Sequence, residues 1–190
     1  GAGFDTFTLV GDSDGAATNY LGSAQITDFT VGTSAANTDL IRFSAANTAY
    51  NDDGGTDSGI ADSTGADSAT ATNAVVIQEV GLNAAAAAVT GNTVNCIKLT
   101  SSTAFTTSVD GTFNAAIGTS TITGFTADSQ ILFLLHDSTN SKMVVGLVDC
   151  NANDTTTIQT GDATTLIATV DMTAADYALI DGDNFAVFIA

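Results

Sequence analysis

The sequence is poor in several residue types, and each shortage argues against a class of function. It has no proline or tryptophan, two cysteines, one histidine and three basic residues. So few imidazole and thiolate groups disfavour a zinc site. Three cations against 21 acidic residues give a formal net charge of −18, which makes nucleic acid and anionic membranes poor partners. No apolar run approaches the length of a membrane span, so no transmembrane segment is predicted.

What is present predicts an all-β protein. Short runs of β-branched and aromatic residues alternate with Gly, Asn, Asp and Ser, the pattern of strands joined by turns. We expect a β-sandwich or β-roll-like fold with one or two short helices and long Asp/Gly-rich loops. The predicted strands lie near residues 5–10, 24–31, 39–44, 74–80, 94–100, 120–126, 130–136, 142–149, 164–171 and 184–189.

The clearest hairpin spans residues 130–148. Residues 131–135 read Ile-Leu-Phe-Leu-Leu, and a strand that is apolar on both faces is expected to be buried on both sides. Residues 143–148 are its predicted partner, and residues 137–141 have the composition of a turn.

Two short helices are predicted. Between residues 108 and 117 the apolar side chains recur at i, i+4, i+7 and i+8, which is helical spacing. Ser108 is the expected N-cap and Gly118 the expected end. The second helix is expected at residues 173–179, where Ala and Tyr follow a threonine.

A weak repeat affects the domain prediction. Residues 22–30 resemble residues 118–126, and each copy precedes an apolar strand, at 39–43 and 130–135. We predict a single β-rich domain over 1–190, with sub-units 1–100 and 101–190 related by this repeat. Chance similarity in a threonine-rich chain is the alternative.

The acidic residues point to calcium. All of them except Glu79 are aspartates, mostly beside Gly, Asn, Ser or Thr. Short carboxylates and carbonyls in turns suit hard cations, although a solubilising surface is the alternative for many of them. Residues 51–73, which include Asp52 and Asp53, have the composition of a disordered segment. Bound cations or neighbouring subunits would order it.

A second candidate calcium loop follows the strand at 142–149. Asp149, Asn151 and Asn153 place side-chain oxygens at alternating positions, which resembles positions 1, 3 and 5 of an EF-hand-type loop. Asp154 stands where that loop has glycine, and Thr160 stands where it has glutamate. An ordinary Asx-rich turn is the alternative.

The start of the chain resembles a known family. Residues 1–8 read Gly-Ala-Gly-Phe-Asp-Thr-Phe-Thr and resemble the RTX nonapeptide G-G-x-G-x-D-x-U-x of haemolysin-type calcium-binding proteins. Residues 26–32, followed by Asp39, resemble the segment after the last RTX repeat, with a longer gap than usual. The uncharged tail at 184–190 resembles a type I secretion signal. This resemblance implies export, calcium binding in the carboxy-terminal region of a surface protein, and ligand roles for Asp5, Asp28 and Asp39.

Together these features predict an extracellular, calcium-binding (Ca2+) structural protein of the cell surface. We expect a homo-oligomer that assembles into a surface layer (S-layer) or filament, and we expect no enzymatic activity. The alternatives are a calcium-dependent adhesion module for cell-surface polysaccharide and a non-catalytic domain of a secreted hydrolase.

Three residue types remain to be placed. His136 is expected to be structural, because a catalytic triad would need a serine from a distant part of the sequence. Glu79 is expected to pair with a base or to face water. Cys96 and Cys150 are expected either to form a disulfide or to be two buried thiols.

Overall fold

The structure is a computed structural model that describes residues 4–9, 24–32, 38–44, 75–85, 87–88, 94, 96–105, 108–123, 130–149 and 157–189. Strands dominate, which confirms the all-β prediction. The first half comprises β1 (Thr6–Leu9), β2 (Ala24–Ile26), β3 (Leu40–Ser44), β4 (Ile77–Val80), β5 (Ala87–Ala88) and β6 (Cys96–Thr103). The second half comprises α1 (Val109–Ile117), β7 (Ile122–Thr123), β8 (Gln130–Asp137), β9 (Lys142–Asp149), β10 (Thr157–Ile158), β11 (Thr164–Asp171), α2 (Ala174–Ala178), a 3-10 helix (Gly182–Asn184) and β12 (Phe185–Ile189).

A six-stranded sheet forms the middle of the structure, in the order β2-β11-β9-β8-β6-β4. β8 and β9 pair antiparallel, as predicted for the hairpin. β4, β6 and β8 run parallel to one another, and so do β2 and β11. Because β9 is antiparallel to both β8 and β11, it alone runs opposite to the other five strands.

Two cores cover the two faces of this sheet. The first core lies between the six-stranded sheet and a parallel sheet of β1, β3 and β12, and it includes Leu9, Ile41 and Phe185. The second core lies between the opposite face and a layer formed by α1, β5, β7 and β10. The described part of the chain therefore has three layers. The finer prediction of a sandwich or β-roll stays a prediction.

The central hairpin separates the two cores. Along β8, Leu132 and Leu134 enter the first core, while Ile131, Phe133 and Leu135 enter the second. Successive side chains of a strand point to opposite faces, so an unbroken apolar run fits only a sheet covered on both sides. The prediction that residues 131–135 are buried on both faces is confirmed, since none is more than 1 % exposed.

Between β4 and β8 the chain alternates between two sheets. β4, β6 and β8 lie in the six-stranded sheet, while β5 and β7 lie parallel to each other in the small sheet β10-β7-β5. α1 packs on β6 and β11 in the same outer layer. The short strands β5 and β10 were not predicted, because two residues carry too little periodicity to be recognised.

Both predicted helices are confirmed. The Ser108 side chain accepts a hydrogen bond from the Gly111 amide and caps α1, and Gly118, with φ of 61°, ends it. Thr173 caps α2 in the same way. Neither of the helices in the described ranges is long and apolar enough to cross a membrane.

The repeat places equivalent residues in different cores. Ile26 on β2 is buried in the first core, whereas Ile122 on β7 is buried in the second. β6 runs across the predicted boundary between residues 100 and 101. Each core contains residues from both sides of that boundary.

Gly146 on β9 is the glycine on which the second core depends. A Cβ atom at this position would lie 2.4 Å from Cζ of Phe133 and 2.8 Å from the carbonyl oxygen of Thr165. The Phe133 ring in turn packs against Phe113, with ring centroids 4.9 Å apart. The missing side chain therefore provides the space for an aromatic pair.

We predict that Gly146→Ala lowers the free energy of unfolding by about 1–3 kcal/mol, because the added methyl group forces Phe133 out of its position. Urea denaturation measures the change. Gly81→Ala is the matched control, since its Cβ would have Thr100 Oγ1 as nearest neighbour at 3.8 Å. Equal stability of the two variants would contradict this account of the core.

Candidate functional site

The first buried polar cluster is centred on Asp39, at the start of β3. Its carboxylate accepts hydrogen bonds of 2.7 Å from the backbone amides of Asp5 and Thr30. The Asp39 amide donates to the Thr30 carbonyl at 2.9 Å, and the Leu40 amide donates to the Asp5 carbonyl at 2.9 Å. With Asp39 only 1 % exposed, these bonds satisfy a buried charge, as burial requires.

Two neighbouring residues extend this cluster to β12. The Thr38 hydroxyl donates to the Thr30 carbonyl at 3.2 Å, and the Asn184 side-chain amide donates to the Thr38 hydroxyl at 2.6 Å. We call Asp5, Thr30, Thr38, Asp39 and Asn184 the Asp39 junction. It ties together the starts of β1, β3 and β12, each of which follows an Asp or Asn residue.

Four of the predicted calcium ligands lie in the described part of the chain, and the other five lie outside it. Asp5 is half-buried, Asp28 is exposed and Asp39 is buried. Asp149 ends β9. The remaining predicted ligands, Asp52, Asp53, Asn151, Asn153 and Asp154, lie outside the described residues.

The structure brings Asp5 and Asp39 together through the Asp5 backbone amide. In the described ranges, no three His, Cys, Asp or Glu side chains are placed to hold one metal ion. The calcium roles stay predictions, and the contacts at Asp39 show a structural role that the sequence alone did not indicate.

The second cluster begins with a buried lysine. Lys98 on β6 is 2 % exposed, and its amine donates to the carbonyls of Ile180 at 2.8 Å and Ala178 at 3.1 Å. It also pairs with Glu79 on β4 at 2.9 Å. Both carbonyls lie at the end of α2, where a cation is favourable. Lys98 thereby fastens α2 to the sheet, and Glu79 pairs with a base as expected.

Tyr177 on α2 connects this lysine to the histidine. Its hydroxyl donates to the Leu99 carbonyl at 2.8 Å. The ring centroid lies 5.4 Å from the Lys98 amine and 5.6 Å from the His136 ring centroid. Burial raises the pKa of Tyr177 well above its usual value, and the negative charge of Glu79 acts in the same direction. The phenol therefore stays a hydrogen-bond donor.

His136 on β8 contacts a serine that is distant in sequence. Its Nδ1 lies 2.9 Å from the Ser102 hydroxyl, and its Nε2 lies 3.2 Å from the Met172 carbonyl. His136 is 3 % exposed. We call Glu79, Lys98, Tyr177, His136 and Ser102 the Lys98 cluster. Sequence reasoning missed it, because parallel pairing of β6 with β8 joins residues with no local sequence relationship.

Asp137 faces away from this cluster and organises the hairpin turn. Its carboxylate accepts hydrogen bonds from the Phe105 and Thr139 amides, both 2.9 Å, and from the Asn140 side chain at 2.6 Å. Burial alone would raise the pKa of Asp137, but these hydrogen bonds outweigh it and lower the pKa below its ordinary value. Asp137 serves the turn.

Cys96 carries a free, buried thiol. Burial raises its pKa far above the usual range, and the nearby Lys98 charge offsets only part of that shift. The thiol is therefore protonated and unreactive. In the structure Cys96 is thus a thiol and not half of a disulfide, and Cys150 lies outside the described residues.

A shallow cleft of about 330 Å³ lies where α1 ends, lined by residues 118–121 and by Gln159 and Thr160. The lining side chains are uncharged, and the Thr119 hydroxyl donates a hydrogen bond to the Asn83 side-chain oxygen at 3.0 Å.

Comparison of the chain with protein-family models, with curated proteins and with solved structures finds no match. Function must therefore be argued from the geometry of the chain itself.

We predict that Asp39→Asn lowers the free energy of unfolding by about 1–3 kcal/mol, because the new NH2 group faces a backbone N–H and leaves a buried donor unsatisfied. The measurement is urea denaturation in EDTA, which separates this effect from metal binding. Asp28→Asn removes the same charge from an exposed position and serves as control. The structural role would be disproved if both variants matched the wild type.

We predict that the two members of the Lys98–Glu79 pair contribute unequally to the free energy of unfolding. Lys98→Met should cost about 1–3 kcal/mol, because the Ala178 and Ile180 carbonyls lose their donor. Glu79→Gln should cost at most about 1 kcal/mol, since the Glu79 side chain is 59 % exposed. Thermal unfolding followed by circular dichroism tests both. A larger loss for Glu79→Gln would refute the assignment of Lys98 to α2.

Proposed function

We propose that this chain is an extracellular, calcium-binding structural domain that self-assembles into a surface layer or filament. The supporting observation is the balance of charge. Lys98 pairs with Glu79, and Lys142 pairs with Asp171 at 2.8 Å. Of the three basic side chains among 21 acids, only Arg42 is left to balance the other 19. The remaining positive charge has to come from solution or from a partner.

Divalent cations supply the missing positive charge better than monovalent salt does. Aspartate and backbone carbonyls are the ligands that calcium prefers. The pairing of Lys142 with Asp171 lowers the pKa of that carboxyl. The Asp-rich segments contain no basic residue of their own, and a divalent ion would offset the repulsion among their carboxylates.

Assembly follows from the same deficit. Identical subunits of charge −18 repel each other, and salt screening leaves part of that repulsion at close contact. Calcium bridging between acidic turns would remove it. In the described sheet of β1, β3 and β12, the two terminal strands lie on the outside, which supports strand addition as the mode of contact. Exposed Phe4, just before β1, adds apolar area.

We predict that calcium raises the melting temperature by about 5–10 °C at roughly 100 times its Kd. Differential scanning calorimetry in calcium, in magnesium and in sodium chloride of equal ionic strength separates binding from screening. Light scattering on the same samples reports assembly. Equal melting temperatures in all three salts would eliminate calcium binding, and an unchanged particle size would eliminate calcium-dependent assembly.

Two variants locate the site. Asp52→Asn with Asp53→Asn should reduce the calcium-dependent increase, because it removes two predicted ligands from one loop. Asp183→Asn, at an exposed position in the 3-10 helix, removes a charge outside the predicted set and should leave the increase unchanged. The reverse result would move the site away from residues 51–73.

A further inference from the structure

Ser102 and His136 are neighbours across two parallel strands. The paired positions are Lys98 with Leu134 and Ser102 with His136, so β6 uses four steps where β8 uses two. The two additional residues form an irregularity in β6 directly before Ser102. Such bulges redirect side chains, and this one precedes the 2.9 Å contact between Ser102 Oγ and His136 Nδ1.

The surroundings of the imidazole determine which nitrogen carries the proton. Nε2 lies 3.2 Å from the Met172 carbonyl oxygen, and a carbonyl oxygen can only accept. The neutral ring is therefore protonated on Nε2, and Nδ1 presents its lone pair to Ser102. The serine hydroxyl donates to Nδ1, which is the arrangement of a serine paired with a general base.

Exposure differs between the two partners. Ser102 lies at the surface, whereas His136 is 3 % exposed. The residue that carries the hydroxyl is therefore open to a reagent from solution, while the imidazole is shielded from water. The Tyr177 ring, with its centroid 5.6 Å from that of His136, lies within the distance at which an aromatic ring stabilises a cation. It favours the imidazolium that forms when the base takes a proton.

We propose that Ser102 is a nucleophile activated by His136, and that it accepts an acyl group from ester donors. The Ser102 oxygen forms a bond to the acyl carbon, and its proton moves to His136 Nδ1. The bond from the acyl carbon to the ester oxygen breaks, His136 returns the proton to that oxygen, and the alcohol or phenol leaves. This assignment stands apart from calcium binding and assembly.

The adjacent serine provides a comparison within the same strand. The Ser101 hydroxyl donates a hydrogen bond to the Ala116 carbonyl at 2.9 Å. A carbonyl oxygen is too weak a base to take the proton of a serine. Ser138 is exposed in the hairpin turn. Neither has a base comparable to His136, and both should react at the background rate.

The test uses the intact chain and p-nitrophenyl acetate. Release of p-nitrophenolate gives the rate, and tandem mass spectrometry locates the acetyl group. Cleavage after Lys98 and Lys142 places Ser101, Ser102 and Ser138 in one peptide, so each molecule carries its own controls. We expect acetylation of Ser102 at least about a hundredfold faster than that of Ser101 or Ser138, which is the lower end of the range for a positioned general base.

Variants separate activation from exposure. Ser102→Ala should remove the fast acetylation, and Ser101→Ala should retain it. His136→Gln keeps a donor for the Met172 carbonyl and should reduce the rate to background in a chain whose circular dichroism is unchanged. Acetyl groups spread evenly over the serines of the wild type would overturn the proposal without any variant. A folded His136→Gln protein that reacts as fast as the wild type would also overturn it.

Discussion

The structure depends on burial of both faces of the β8–β9 hairpin. One face supplies the first core and the other supplies the second, so each outer layer is held by apolar contact with the same two strands. Loss of either layer would expose an apolar surface of the hairpin to water. That exposure costs about 25 cal/mol of free energy for each Å². Polar interactions then fix details that apolar burial leaves open. The Asp39 junction aligns the starts of three strands. Lys98 fastens the end of α2 to the six-stranded sheet and lies beside the Tyr177 ring.

Much of the secondary structure could be predicted, because the spacing of apolar residues and the turn and cap residues indicate it locally. The run at 131–135, the cap at Ser108 and the turn before Lys142 each carry their signal within a few residues. Apart from the β8–β9 hairpin, the pairing of strands could not be predicted, because β4, β6 and β8 are parallel neighbours joined by long connections. The Ser102–His136 contact is a product of that pairing. Asp39 was identified as a carboxylate of interest, but its two amide partners come from other segments.

Charge separates the described core from the rest of the sequence. Lys98 and Lys142 form ion pairs within the fold, and the two cores consist of apolar side chains. Most of the acidic excess of the chain therefore lies outside these cores. The calcium-dependent assembly that we propose concerns those acidic residues and not the apolar layers. Ser102 lies on the core side of that division, beside buried groups and remote in sequence from the Asp-rich segments.

The way the first and last thirds of the chain interlock has a consequence for folding during synthesis. β2 is paired with β11, and β3 lies between β1 and β12. During translation, an emerging amino-terminal half lacks the strands that complete both of its sheets, and contacts this distant in sequence form slowly. The six-stranded sheet and the sheet of β1, β3 and β12 can therefore be completed only after β11 and β12 have left the ribosome. The first core, which includes Phe185 and Ile180, accordingly closes late in synthesis.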